Sequence, residues 1–156
     1  MGGSLQVDEI DVRILDQLQI DGRMSFARIA KNVGVAESTV RARVGRLRRR
    51  KLVRFVADLD PNDLGLVYVY VGFRVQGAAL KRVLGTIEAT PEIIYAVLTS
   101  GSFDVLSELV CRDNDDLLRL LEELRHVPGV AHMETLTVLR IAKDEWRYAA
   151  LLLADR

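Results

Sequence analysis

Between Glu37 and Leu52 the chain carries seven Lys/Arg residues against a single acid, and the cations lie on one side of a helical pattern. Val40, Val44 and Leu47 recur at i, i+4 and i+7, a spacing that makes a narrow apolar stripe on a helix. The opposite side is Ser38, Ala42, Gly45 and Arg49, flanked by Thr39, Arg46, Arg41 and Arg48. Such a surface can hydrogen-bond to base edges and neutralise phosphates. Small residues near a helix start fit a major groove, while later arginines lie along the backbone. A long basic run is also what an ordinary solvated helix face looks like, so the elements that position it decide its meaning.

Those elements point to a helix-turn-helix. A first short helix, about Phe26 to Asn32, is apolar at Phe26, Ile29, Ala30 and Val33. The turn Val33-Gly34-Val35 then lets the chain leave at an angle that a Cβ would resist. In this arrangement Ser38, Thr39 and Ala42 face base edges and Arg46 meets a base or a phosphate. Arg41, Arg43, Arg48, Arg49 and Arg50 mostly meet phosphates, Glu37 stands at the helix start among them, and Arg43 lies nearest the inward stripe. An earlier helix is expected from Asp8, its N-cap, to Gln19, with Ile10, Ile14, Leu15 and Leu18 on one face. The β-rich stretch Leu52 to Leu59 is expected to add a strand, and the turn-forming Asp60-Pro61-Asn62-Asp63 to end the domain at about residue 60.

From residue 61 the pattern changes. Val67 to Val75, Ile93 to Thr99, Phe103 to Cys111 and Val130 to Ala142 read as strands. Leu80 to Ala89 and Asp115 to His126, the latter capped by Asp115, read as helices. The order βαββαβ, with a faint internal echo between IEATPEIIYAVLTS and LRHVPGVAHMETLTV, predicts a ferredoxin-like antiparallel sheet with both helices on one face. The fold class is therefore α+β: three helices and a short strand in residues 1–60, then a βαββαβ domain in 61–156. Apolar residues occupy both parities of the strands, so the second sheet face needs a cover, and another copy of the same sheet supplies it, which predicts a homodimer. The final segment DEWRYAALLLADR suits either a helix or a short fifth strand and is read as the strand.

Whole-chain charge is zero, with 22 cations and 22 acids. It divides unevenly: residues 1–60 hold 12 Lys/Arg against 8 Asp/Glu, and residues 61–156 hold 10 against 14. The front half suits a polyanion and the back half does not. No apolar run approaches the ~20 residues of a membrane span, and no signal peptide opens the chain, so a soluble cytoplasmic protein is expected. Met1-Gly2-Gly3-Ser4 reads as a leader.

Enzymatic and cofactor chemistry finds no support. A single Cys111 excludes an intrachain disulfide or a Cys-x-x-Cys motif and reads as a small core residue. His126 and His132 are not at metal-ligand spacing; His126 is expected at the carbonyl end of its helix and His132 at a strand edge. Asp113, Asp115 and Asp116 are acids at a helix start. Phosphate loops and nucleophile elbows do not occur, and no cofactor or metal is expected. Trp146 and Tyr148 can stack a base, but beside an acidic stretch they read as packing at an oligomer contact.

Several stretches together resemble the Lrp/AsnC (leucine-responsive/asparagine regulator) family of prokaryotic transcription regulators. They are Asp8-Glu9-Ile10-Asp11-Val12-Arg13-Ile14-Leu15, Asp21-Gly22-Arg23, Ala30-Lys31-Asn32-Val33-Gly34-Val35, Arg43-Val44-Gly45-Arg46-Leu47 and Pro61-Asn62-Asp63-Leu64-Gly65. The resemblance implies a winged helix-turn-helix that binds double-stranded DNA. It also implies a regulation domain that dimerises, assembles into octamers or similar rings, and takes a free amino acid at interfaces between copies. By the same resemblance the effector loop is Thr99-Ser100-Gly101-Ser102-Phe103-Asp104, and the response positions of the last strand are Leu136, Thr137 and Val138. The chain departs from the family at Ala36, often Ser, which deprives the second helix of a side-chain cap. It departs again at Ser102, which replaces an acid beside Gly101 and removes a partner for a ligand ammonium. Two rival readings use the same elements: an architectural protein that wraps DNA without an effector, and an amino acid-binding module whose helix-turn-helix contacts protein.

Overall fold

The computed structural model describes residues 7–154, so Met1 to Ser4 lie outside the described residues. The chain forms two compact units: residues up to 57 together with those from 143, and the segment Asp58–Ala142.

The first unit is built from α1 (Glu9–Ile20), α2 (Phe26–Val33) and α3 (Glu37–Arg49). Asp8 caps α1 as expected, and Ser25 caps α2 by accepting from the Arg28 amide. Ile14, Leu18, Ile29, Ala30, Val33, Val40 and Val44 form one buried cluster, so the stripes read from spacing meet as a core. Gly34 ends α2 at φ 80°, a left-handed conformation that costs glycine nothing.

Two expectations fail in this unit. Residues 53–60 have no strand, because a strand needs a partner and the chain offers none beside them. The C-terminal segment is not a fifth strand but a helix, α6 (Tyr148–Ala154), and it packs on α1 rather than beside the sheet. Alanine and leucine favour the helix, and α1 supplies the surface that shelters it.

The second unit contains β1 (Val67–Val75), a 3₁₀ turn (Gly77–Ala79), α4 (Leu80–Ala89), β2 (Ile93–Leu98), β3 (Val105–Cys111), α5 (Asn114–Arg125) and β4 (Val130–Thr137). The sheet is antiparallel in the order β2-β3-β1-β4, the ferredoxin-like arrangement. Val69, Val71, Phe73, Val105 and Leu109 face Val83 and Ile87 of α4 and Leu120 and Leu124 of α5. β4 stops at Thr137 rather than Ala142, and α5 is capped by Asp113 rather than Asp115: the Asp113 carboxylate accepts from the Asp116 amide at 2.8 Å. Cys111 is buried in this core, and burial pushes its thiol pKa up, as befits an inert packing residue.

Gly129 joins α5 to β4 at φ 106°, and a Cβ there would lie 2.1 Å from Ala79 Cβ. Gly129→Ala therefore combines left-handed strain with a clash that no rotamer relieves. The substitution is expected to destabilise the chain by about 2 kcal/mol or more in urea unfolding.

Candidate nucleic-acid interface

The recognition helix α3 buries Val40, Val44 and Leu47 and turns Ser38 and Ala42 outward. Ala36 occupies the N-cap position with extended backbone and makes no side-chain cap bond. The helix does not shift to find another cap; the Thr39 amide donates to the Ala36 carbonyl at 3.0 Å, and the Ala36 side chain serves none of the helix's first amides. Ser38, Thr39, Ala42, Arg43 and Arg46 border one shallow concavity. The structure thus brings together the residues expected at base edges.

The seven cations do not behave alike. Arg43 Nη1 donates to both oxygens of Asp8, at 2.7 and 2.6 Å, and to Asp11 at 2.9 Å. Arg46 Nη2 donates to the second Asp11 oxygen, while its Nε is buried without a partner among the described residues. Asp11 has no solvent exposure. The same two carboxylates form the capping box of α1: Asp8 accepts from the Asp11 amide at 2.9 Å, and Asp11 accepts from the Asp8 amide at 3.2 Å. Arg43 and Arg46 are therefore fastened to α1 before any ligand arrives.

Arg41 is exposed, pairs with Glu37 at 2.8 Å and lies over the Phe26 ring at 5.3 Å from its centroid. Arg48 lies 5.9 Å over Phe55. Arg49 and Arg50 are exposed and meet no carboxylate among the described residues. The freely solvated cations are thus at the C-terminal end of α3 and the tethered ones in its middle. The sequence marked Asp8 and Asp11 as helix-start acids; their second role depends on partners 32 to 35 positions away, which periodicity does not reveal.

In the second unit, the loop between β2 and β3 is held by its own backbone and by β1. The Thr99 amide donates to Asp104 O at 3.0 Å, Thr99 Oγ1 donates to Phe103 O at 2.7 Å, and the Asp104 amide donates to Phe73 O at 2.8 Å. Asp104 Oδ2 accepts from the Val75 amide at 2.8 Å, and its other oxygen lies 3.5 Å from Arg74. Asp104 is consequently a loop anchor whose side chain remains 39% exposed. Ser100, Gly101 and Ser102 are exposed, and Gly101 has φ 129°. The Phe103 ring presses against Gly72, where a Cβ would come within 2.6 Å of it.

Leu136, Thr137 and Val138 are not beside this loop. Thr137 pairs with Val69, Leu136 with Tyr70, and the Val138 amide donates to Tyr68 O, whereas the loop is tied to Phe73 and Val75. Three strand residues, about 10 Å, separate Tyr70 from Phe73 along β1.

The expected places of both histidines hold: His126 Nδ1 meets Glu122 O at 2.7 Å, and His132 sits on the edge strand β4. Among the described residues no acid, histidine or cysteine cluster could hold a metal ion. No helix is long and apolar enough to cross a membrane.

Comparison with known proteins gives two family matches. The AsnC-type helix-turn-helix domain matches residues 7–48, and the Lrp/AsnC ligand binding domain matches residues 68–147. An uncharacterised HTH-type transcriptional regulator of Pyrococcus abyssi is 34% identical over 148 residues, 93% of this chain and 92% of the relative. Among solved structures, AsnC of Escherichia coli is 26% identical with TM-score 0.77, covering 88% of this chain and 95% of that one. A transcriptional regulator from Neisseria meningitidis, solved as an L-Met complex, shares the fold at 21% identity and TM-score 0.80, covering 91% of this chain and 96% of that one.

The Arg43 contact holds the Asp8 carboxyl below its ordinary value of 3.8, with the Asp11 amide adding to the effect. The folded chain therefore binds fewer protons at Asp8 than the unfolded chain does. The resulting stabilisation is complete above the ordinary value and is lost as pH falls through the depressed one. Urea midpoints measured from pH 6 downward are expected to fall more steeply below about pH 4 in the native chain than in Arg43→Met.

Proposed function

Because the chain belongs to the Lrp/AsnC family of transcription regulators, we propose that it is a sequence-selective DNA-binding regulator. It works as a homodimer or larger ring and answers to a small amino acid. The observation that carries the DNA reading is the outward face of α3, where Ser38, Thr39 and Ala42 stand at an uncapped helix start and Arg49 and Arg50 remain solvated at its end. Base selection belongs to the first group. Arg41, Arg48, Arg49 and Arg50 meet phosphates, and Arg43 and Arg46 hold the helix in place, Arg46 still bordering the reading concavity.

Oligomerisation is supported by the sheet face opposite α4 and α5. Tyr68, Tyr70, Leu106, Val110 and Leu136 share that face by register, and Leu136 is 46% exposed. Tyr68 donates to Glu108 Oε2 at 2.8 Å, which ties the polar groups of this surface to one another; burial pushes the Tyr68 phenol well above its usual range. A second sheet is the cover that such an apolar face takes.

The effector reading rests on the exposed Ser100-Gly101-Ser102 turn and on the family's ligand-binding domain, together with the neighbour solved with L-Met. Since the loop and Leu136 to Val138 are apart in one chain, a site using both draws them from two copies. With Ser102 in place of an acid, the ligand ammonium meets hydroxyl and carbonyl oxygens together with the exposed part of the Asp104 carboxylate.

Two measurements test these assignments. Arg49→Ala should weaken binding to selected and random duplexes alike and lower the salt slope by about 1, whereas Ser38→Ala should change which duplex is preferred. An equal loss on both duplexes from Ser38→Ala would count against base reading by that residue. Calorimetry against the twenty amino acids should find at least one binder, lost in Gly101→Val; no heat from any of them removes the effector from the reading.

A further inference from the structure

We propose that the C-terminal segment is a strap that positions the DNA-reading helix, with Asp16, Gln19 and Arg147 as its positioning residues. The proposal rests on the DNA-reading assignment and not on the effector.

The strap is seated by side chains chosen for it. Gln19 Oε1 accepts from the Ala149 amide at 2.8 Å, and Gln19 Nε2 donates to the Trp146 carbonyl. One amide side chain thus serves a free N–H of the first turn of α6 and a carbonyl of the segment leading into it. Arg147 Nη2 lies 2.8 Å from Asp16 Oδ1, and the Asp16 side chain is only 15% exposed. Asp16 and Gln19 are three residues apart, on one face of α1. Ala149 is buried, and Leu15 and Leu18 of α1 line an apolar groove with Tyr148 and Leu152. Hydrogen bonds, an ion pair and apolar contact therefore converge on one turn of α1.

What α1 does at its other end gives the strap its consequence. Its first turn supplies Asp8 and Asp11, which hold Arg43 and Arg46 of α3. A twelve-residue helix is a rod of about 18 Å, gripped by the recognition helix at one end and by the strap at the other. Releasing the strap leaves the last turn of α1 held by Leu18 in the core and by the bond from Asn32 to Gln17, and removes one of the restraints that fix the rod. The register of α3 against a groove then loosens. Small displacements of this kind cost base selection before they cost phosphate contact, because base hydrogen bonds are the more demanding in geometry.

The experiment uses the full chain with Asp16→Arg, Arg147→Asp, both together, and Gln19→Met, which keeps the groove filled. Two quantities are read. One is hydrogen exchange at the amides of residues 149–152. The other is the ratio of affinities for a duplex selected by the native chain and for a random duplex of equal length at the same salt. The ratio cancels the general effect of changing net charge. Each single substitution is expected to speed exchange by about tenfold and to lower the ratio by about fivefold. The charge-swapped pair should return both to within about twofold of the native values. Fast exchange with an unchanged ratio would overturn the positioning role. Unchanged exchange in the single variants would overturn the seating of the strap. Failure of the native chain to select any duplex would overturn the DNA reading itself, and the strap's role with it.

Discussion

A carboxylate with no solvent exposure must find donors inside the protein, and Asp11 finds them in Arg43 and Arg46. Removing one partner of a fully buried pair costs about 3 to 5 kcal/mol; here the cost is smaller, because both guanidinium groups keep some contact with water. The geometric consequence matters more than the energy. Asp11 also closes the capping box of α1, so the start of α1 and the middle of α3 share one set of charges. The recognition helix cannot slide along or rotate about its axis without breaking ion pairs to the two carboxylates that cap the first helix. Of the basic residues on α3, this constraint spends two on architecture and leaves the solvated cations where phosphates would be met.

The regulatory unit depends on a constraint of another kind. One sheet face is filled by α4 and α5 and is dry; the other carries tyrosines, leucine and valine beside Glu108. Gly72 lies on that second face, and its missing Cβ is the space in which the Phe103 ring sits. The loop and the sheet face are therefore mechanically joined. Any displacement of the Phe103 ring is felt at Gly72 on this face. The Asp104 anchor on β1 keeps the base of the loop fixed while its Ser100-Gly101-Ser102 tip stays open.

Much of this was legible in the residues. The three stripes of the first unit and the βαββαβ order were plain because each is a local periodicity, and local periodicity is what a sequence displays. Asp8 as a cap and Gly34 as a turn were legible for the same reason. The strand expected at Leu52 to Leu59 was misread because β-propensity describes a residue's fitness for a sheet and says nothing of whether a partner strand exists. The last segment was misread because its helix is specified by Gln19 and Asp16, more than a hundred residues away. The ties of Arg43 and Arg46 to Asp8 and Asp11 were not legible for a similar reason: a basic face looks the same whether or not buried acids face it. The bond from the Val75 amide to Asp104 was not legible either, being a fact of loop geometry alone.

The return of the C-terminus to α1 also has a temporal side. The contact between Gln19 and Ala149 joins residues 130 positions apart, so it closes only after the chain has been made through residue 149. During synthesis the three helices can gather around Ile14 and Val40 while the groove along Leu15 and Leu18 stands open, and the intervening unit shortens the loop to be closed as it folds. The three helices are thus made well before the strap that completes their unit. A chain cut short before residue 143 keeps its basic helix but leaves the groove along Leu15 and Leu18 bare, apolar surface of the kind that promotes aggregation.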